Sequence, residues 1–513
     1  MLQAIYSLPI WALITIPVSV YILYIVTLAI IDPLRHIPGP FLARFSRAWY
    51  CWEIYKGHFE RTNHQLHTRY GPIVRIAPHE YSIDDVDAAK VIYSIGGSNF
   101  PKAPWYRAWQ PTNVNTDGLF SDLDPHRHSA NRRKVANYYS MSSMVGYEYY
   151  VNNCTESLSR HFMKSAISGD LIDMQHWLQC YAFDVIGEIT FGQPFGFLDK
   201  GEDRDGVFKA IDAGGSYSTF VGIWSWLHAW IFPLLPATGG FAYIVKFTAD
   251  RILEKENLLK ERRSGDKEKE GTADFVTRIL SASEKDPGKI TRGDLAVTCQ
   301  SNVGAGSDTT AITLSSVLYH LLKHPHTYQK LRDEIEIAAK EGRVSDPITF
   351  KEAQGLPYLQ AVIKEGLRVH PAVGLGLQRI VPAGGTTIAN QFIPGGSTVG
   401  INAYVAHKNT SVWGSDADQW RPERWLEIAE QSRGGEVEKY FFSFGMGSRT
   451  CIGKNISLLE LSKLIPQLVR RFDFELDADV ERNGGLYSLN RWFVKQQNFR
   501  ARVLRRGKDG GME

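Results

Sequence analysis

The chain has 513 residues, 43% hydrophobic and 22% charged, with 25 Phe, 23 Tyr and 13 Trp, which is too apolar and aromatic for a disordered protein. Its 58 basic and 55 acidic residues leave a formal charge of +3, which excludes the dense basic field of a dedicated nucleic-acid binder. The five cysteines, Cys51, Cys154, Cys180, Cys299 and Cys451, are scattered and odd in number, a usage that fits a reducing compartment better than a secreted disulfide framework.

In chain order, the first expected element is a membrane anchor. No Asp, Glu, Lys or Arg occurs from Met1 to Ile31, and Leu8 to Ile31 is nearly continuously apolar, enough at 1.5 Å per residue to cross a hydrocarbon core of about 30 Å. A cleaved signal would need a basic start and a small-residue cleavage site, and neither is visible. Pro9 and Pro17 favour the competing reading, a buried soluble helix. Arg35, Arg44 and Arg47 follow the segment, so the positive-inside rule puts the body in the cytosol, and the sequons at Asn153, Asn409 and Asn455 become chance matches. His36-Ile37-Pro38-Gly39-Pro40 should stop the helix and act as a stiff lever between two parts.

No repeat or long linker divides the rest, so the expected organisation is an anchor over 1–35 and one catalytic domain over 36–513. Arg262 to Thr272 reads as a solvated inter-helix loop. Strands are expected at Ile73 to Ile76 and Tyr81 to Ile83, then at Thr386 to Ala389, with a hairpin flanking Gly395-Gly396. Three- and four-residue apolar spacing predicts helices over Leu295 to Leu322, Leu331 to Lys340 and Ile456 to Phe472. The fold class is mainly α with a small β region.

Two stretches carry chemistry. Within the apolar helix 295–322, Ala305-Gly306-Ser307-Asp308-Thr309-Thr310 places a helix-weakening glycine beside an acid and two alcohols, whose bland role would be bonding back to preceding carbonyls. Further on, Phe444-Gly445-Met446-Gly447-Ser448-Arg449-Thr450-Cys451-Ile452-Gly453 surrounds one cysteine with glycines just before a helix, so that backbone amides and the helix terminus favour a thiolate. A buried structural thiol is the preferred reading for the other four cysteines.

The second stretch resembles the haem-binding signature of the cytochrome P-450 family, Phe-x-x-Gly-x-Arg-x-Cys-x-Gly. Its five fixed letters would arise by chance in such a chain roughly once in ten thousand. The resemblance implies the cytochrome P-450 fold behind a transmembrane helix, and haem b with Cys451 as the axial iron ligand. It also implies Phe444 and Gly445 in the cofactor loop and Arg449 on a propionate. Glu365 and Arg368 look like the family's Glu-x-x-Arg pair, and Arg424 of Pro422-Glu423-Arg424-Trp425 joins them in a buried structural network. His128, Arg132 and Arg379 match further haem-facing positions. The 305–310 stretch resembles the oxygen-activating motif, in which Gly306 makes room over the iron while Asp308 and Thr309 are the catalytic proton suppliers.

That pair favours a monooxygenase using O2 and NADPH over relatives that rearrange peroxides. An isomerase or dehydratase needing no external electrons, and a membrane-anchored haem-binding protein without turnover, are the alternatives. Because no Gly-x-Gly-x-x-Gly follows a strand, electrons must come from a partner. For an anchored member the resemblance implies the NADPH-cytochrome reductase of the endoplasmic reticulum, with Arg133, Lys134 and Lys454 as a docking face. The expected localisation is the endoplasmic reticulum membrane, single-pass, with the catalytic domain cytosolic. Phe100 to Phe120, Val373 to Gln378, Leu486 to Phe493 and the tryptophan-rich 214–245 stretch should enclose an apolar small-molecule substrate that partitions from membrane lipid. Asn490 to Val494 is similar to fungal members of secondary metabolism, the pisatin-demethylase-like group, whose substrate class would be a terpenoid, polyketide or alkaloid intermediate.

Overall fold

The computed structural model describes residues 10–94, 100–112, 117–203, 206–236, 240–263, 273–482 and 484–506. Most of the polar loop expected over 262–272 lies outside them. The first helix, α1 (Ile10–Ile31), carries no charge. Among the described residues no helix is long and apolar enough to cross a membrane. The side chains of 10–12 and 14 are not among those described, and the remaining run, 15–31, rises about 25 Å against a core of about 30 Å. The expected span is therefore not carried by what the structure describes.

The Pro/Gly segment after α1 is a clamp, not the lever its composition suggests. Buried Arg75 pairs with Asp32 at 2.8 Å and donates to the Leu34 carbonyl at 2.7 Å, while its own N–H donates to the Pro38 carbonyl at 2.9 Å. A Cβ on Gly39 would stand 2.4 Å from the Arg75 carbonyl oxygen, so only glycine lets the chain lie this close.

The strands are β1 (Ile73–Ala77), β2 (Glu80–Ile83), β3 (Leu171–Asp173), β4 (Arg379–Ile380), β5 (Thr386–Ile388), β6 (Gln391–Ile393), β7 (Thr398–Gly400), β8 (Phe472–Leu476), β9 (Ser488–Arg491), β10 (Phe493–Gln496) and β11 (Arg500–Arg505). One sheet has the order β1-β2-β7-β4, with β2 and β7 parallel; smaller sheets are β3-β11-β8, β9-β10 and β5-β6. The strands flanking Gly395-Gly396 do not pair with each other. The hairpin is β5-β6, turning at Ala389 and Asn390, whose φ values of 46° and 61° make the primed turn a hairpin's twist needs. Gly395 instead lets the chain pass close to the carbonyls of Pro382 and Ala383 on its way to β7.

The principal helices after α1 are α2 (Pro125–Val135), α3 (Met141–Ser168), α4 (Met174–Phe191), α5 (Val207–Ile223), α6 (Arg292–Lys323), α7 (Pro325–Lys340), α8 (Pro357–Val369) and α9 (Lys454–Arg471). α6 begins three residues before the apolar pattern because Thr291 and Asp294 form a capping box. α7 starts at Pro325, whose missing N–H costs nothing in a first turn. α6 runs through the core against α4, whose residues are almost all buried, with α3, α8 and α9 around them. The mainly α architecture with a small β region is as the periodicity predicts.

Candidate active site

The loop 444–453 brings backbone up to a sulfur. Gly445 and Gly447 have φ of 66° and 71°, and a Cβ on Gly447 would stand 1.7 Å from the Tyr93 carbonyl oxygen. The Cys451 N–H donates to the Phe444 carbonyl at 2.8 Å, and Thr450 Oγ1 to that of Gly445 at 3.2 Å. Burial pushes the Cys451 thiol up; the amides of Gly453 and Lys454 and the charges of Arg132 and Lys454 pull the other way. Cys451 lies deep in the fold yet is the one exposed cysteine, whereas Cys154, Cys180 and Cys299 are buried and Cys51 is partly so.

The other chemical stretch lies on α6. Val297, Ser301, Ala305 and Thr309 are incompletely covered and recur every four residues on a helix otherwise mostly buried, so they share one face. Tyr139 ties α6 to α9: its hydroxyl donates to Asn302 Oδ1 of α6 at 2.5 Å, and its carbonyl accepts from Asn455 of α9 at 2.9 Å. Thr309 donates to the Ala305 carbonyl at 2.9 Å. Ile186 of α4 packs against Gly306, 3.1 Å from where a Cβ would stand. The room this glycine makes is thus filled by a helix contact, and Ala305 is the small residue on the open face.

Asp308 turns the other way, since consecutive helical residues point about 100° apart. Its buried carboxylate accepts from Gln179 Nε2 at 2.6 Å and pairs with Lys495 Nζ of β10 at 2.7 Å. Lys495 also pairs with Asp212 of α5. Burial pushes the Lys495 ammonium down, but Asp308 and Asp212 outweigh it and its pKa is raised. The two sequence-adjacent proton suppliers therefore bond to different partners: Thr309 to its own helix, Asp308 to α4 and the C-terminal hairpin.

Beside Cys451, positive groups gather. Lys102, His128 and Arg379 are buried, Arg132 and Arg449 partly so. Burial and the charges of Arg379 and Arg449 hold Lys102 well below its usual range, and burial with Lys102, Arg449 and Arg132 pushes His128 down to about 3. The acid nearest this group, Asp122, is taken by Arg127 at 2.8 Å. Arg132 donates to the Thr450 carbonyl at 2.8 Å, Arg379 to that of Gln378 at 2.9 Å, and Lys102 to those of Leu119 and Phe120 at 2.7 Å. The buried Nε of Arg449 has no partner among the described residues. Arg132, Arg379 and Arg449 form no ion pair among the described residues, and buried positive charge without a counter-ion calls for an anion, beside which Lys102 and His128 would regain their protons. With a cysteine cradled by glycines beside it, the set fits a haem, iron to the sulfur and carboxylates to the cations.

Behind the loop, Arg368 makes two bonds to Glu365 at 2.9 and 2.7 Å, and Arg424 lies 3.5 Å from the same carboxylate and 2.7 Å from Asp416. All three are buried, so the expected network is assembled away from the open face. Of the expected docking residues, Lys134 is tied to Asp294 at 2.9 Å, Arg133 donates to Ser129, and Lys454 lies 5.7 Å from the Phe444 ring centroid. The pocket wall is aromatic: Phe120 meets Tyr106, Trp109 and Trp492 at centroid distances of 5.2, 5.3 and 5.7 Å. Residues 95–99 and 113–116 lie outside the described part. Sequence reasoning missed Lys102 and Lys495. Lys102 is a lone lysine among prolines and aromatic residues, the one signal it leaves, whereas Lys495 sits between an apolar run and Gln496-Gln497-Asn498 and leaves none.

A helical body that holds a glycine-cradled cysteine beside buried basic groups, tied through Tyr139 to a helix with a small-residue face, fits the class of thiolate-ligated haem proteins. The cytochrome P450 family profile matches residues 38–487. The chain is 39% identical over 492 residues to a pisatin demethylase of Fusarium vanettenii, covering 94% of this chain and 93% of that one. It is 36% identical over 473 residues to a cytochrome P450 monooxygenase of Aspergillus terreus, covering 90% and 94%, and 36% identical over 487 residues to another of Emericella nidulans, covering 92% and 94%. The chain belongs to the cytochrome P450 family: it is a haem-thiolate oxidoreductase of the monooxygenase class.

Proposed function

We propose that this enzyme oxidises an apolar small molecule of fungal secondary metabolism, a terpenoid, polyketide or alkaloid intermediate, with electrons from NADPH delivered by a reductase. The observation that carries the reading is the glycine-cradled Cys451 just before α9, tied through Tyr139 to α6, whose Ser301, Ala305 and Thr309 are incompletely covered. When bound, the haem supplies the iron at which O2 is activated, and a thiolate ligand favours O–O cleavage. Cys451 would be the ligand, and Arg449, Arg132, His128 and Arg379, and newly Lys102, would hold the propionates; Phe444 and Gly445 shape the cysteine loop, and Gly306 seats α6 against Ile186 of α4. Thr309 presents a hydroxyl, and Asp308, one residue away, passes to it a proton taken from the Lys495 ammonium that it shares with Asp212. The aromatic wall of Phe120, Trp109 and Trp492 excludes water and positions an apolar substrate.

The localisation proposed is the endoplasmic reticulum membrane, with 1–35 as a single-pass anchor and 36–513 as the cytosolic catalytic domain. Exposed Phe41 and Leu42 near the anchor, and Trp226, Trp230 and Leu234 after α5, support membrane lipid as a partner. Arg47 joins the two regions by donating to the Ile223 carbonyl at 3.2 Å. The test is metabolite mass spectrometry of the source organism carrying Cys451→Ala against wild type. A precursor one oxygen poorer than the lost product should accumulate; an unchanged profile with the pathway active overturns the assignment.

A further inference from the structure

We infer that His407 is a positioning residue for the cysteine loop, carrying the geometry of the buried Glu365–Arg368 node to the segment that leads into Cys451. The inference rests on the reading of Cys451 as the haem ligand.

His407 lies at the C-terminal end of the short helix Ala403–Ala406 and is 1% exposed. On one side it is bound twice to a single residue of α8: Arg368 Nη1 donates to the His407 carbonyl at 2.8 Å, and the imidazole Nδ1 meets the Arg368 carbonyl at 2.9 Å. On the other side its Nε2 meets the backbone N–H of Phe442 at 2.8 Å. These partners fix the tautomer. A carbonyl only accepts, so Nδ1 carries the hydrogen; a backbone N–H only donates, so Nε2 offers its lone pair. The ring must therefore be neutral. Burial and the Arg368 charge push it down to about 3, which keeps it so.

Phe442 is where the loop begins. Its carbonyl accepts from the Gly445 N–H at 2.9 Å, its neighbour Ser443 donates to the Leu367 carbonyl of α8 at 2.8 Å, and Phe444 accepts from Cys451 N–H at 2.8 Å. The ring of His407 also stacks on Phe441, centroids 5.1 Å apart. His407 thus supplies the acceptor that holds Phe442, and Phe442 and Ser443 together hold the entry of a loop whose exit is Cys451. Among the described residues Arg368 makes no side-chain bond of its own to that loop; its link runs through this imidazole. Without it a buried N–H loses its partner, and the loop is freer to let the sulfur leave the iron.

Two substitutions separate the ring's two nitrogens. His407→Asn keeps an amide donor near the Nδ1 position and loses the acceptor for Phe442; His407→Gln reaches the Nε2 position and restores it. The full chain is purified with haem, reduced and exposed to carbon monoxide, and decay of the thiolate-specific carbonyl band is followed well below the unfolding temperature. The expected result is a band lost about five- to tenfold faster in His407→Asn, the effect of one buried hydrogen bond, and near wild-type decay in His407→Gln. Equal decay of Asn and wild type, or a Gln variant as poor as Asn, overturns the role of Nε2. If wild type itself lacks the band, the ligand assignment fails and this inference with it. Should His407→Asn not fold, amide exchange in wild type decides: the segment 440–446 must exchange slowly at Phe442, and fast exchange there overturns the proposal.

Discussion

One ammonium group decides where Asp308 points. Lys495 is shared between Asp308 and Asp212, and removing it leaves a buried carboxylate with only Gln179 beside it. Lys495→Met should lower stability by about 3–5 kcal/mol in thermal or denaturant unfolding, and pairing it with Asp308→Leu should recover much of that, because an uncompensated charge costs more than an apolar pair. Strict additivity of the two would show that the charges do not interact. Glu460 of α9 is the opposite case, a buried carboxyl with neither oxygen bonded among the described residues; burial holds it well above the usual carboxylate range. A folded-state value above the unfolded one means that wild type is at full stability below the unfolded value, about 4.3, and loses stability as pH rises from there toward the folded value. Glu460→Gln should abolish this slope, so the variant's melting-temperature advantage should grow with pH; a constant difference would count against it. Neither Lys495 nor Glu460 announces itself in the sequence, since what matters about each is who its neighbours are, and those come from other helices and a distant hairpin.

At the scale of elements, what was legible is what is local. The cysteine loop declares itself because glycine spacing and backbone approach are written within ten residues, and α6 because its apolar repeat is long. The hairpin shows the limit. Gly395-Gly396 carries the stronger turn signal, yet the turn forms at Ala389-Asn390, and the glycines serve a close pass to Pro382 and Ala383 that no local pattern encodes. The same distinction places Gly306 against Ile186, where motif matching expects open space. Gly447 is the most constrained position of the loop, with positive φ and the Tyr93 carbonyl oxygen at 1.7 Å from an added Cβ. Gly447→Ala should cost more than about 1 kcal/mol from φ alone, before any clash, and should be read as lower haem content per folded chain; full haem occupancy with unchanged stability would contradict the cradle described for the sulfur.

For the molecule as a whole, two strongly exposed tryptophans follow α5, whose last residue is bonded to Arg47. Trp226 and Trp230 are 66% and 74% exposed, and rings of this kind favour a lipid interface. Phosphatidylcholine vesicles with brominated chains should quench tryptophan emission of the full chain, and Trp226→Ser with Trp230→Ser should remove most of the quenching; equal quenching would place the contact elsewhere. The lack of charge over 1–31 is local and legible, whereas the clamp that follows it was not, because Asp32 and Arg75 are paired only in three dimensions.

The parallel pairing of β2 with β7 joins Glu80 to Thr398, so the sheet that receives the clamp is completed only when most of the chain exists. During synthesis β1 and β2 emerge early as a two-stranded ribbon, marginal alone, with an open edge awaiting its partner. Completion of this sheet is therefore a non-local step, and the edge of β2 stays open until β7 is made. A substitution at the edge of β2 should accordingly reduce yield in cells more than it reduces the stability of molecules that have already folded.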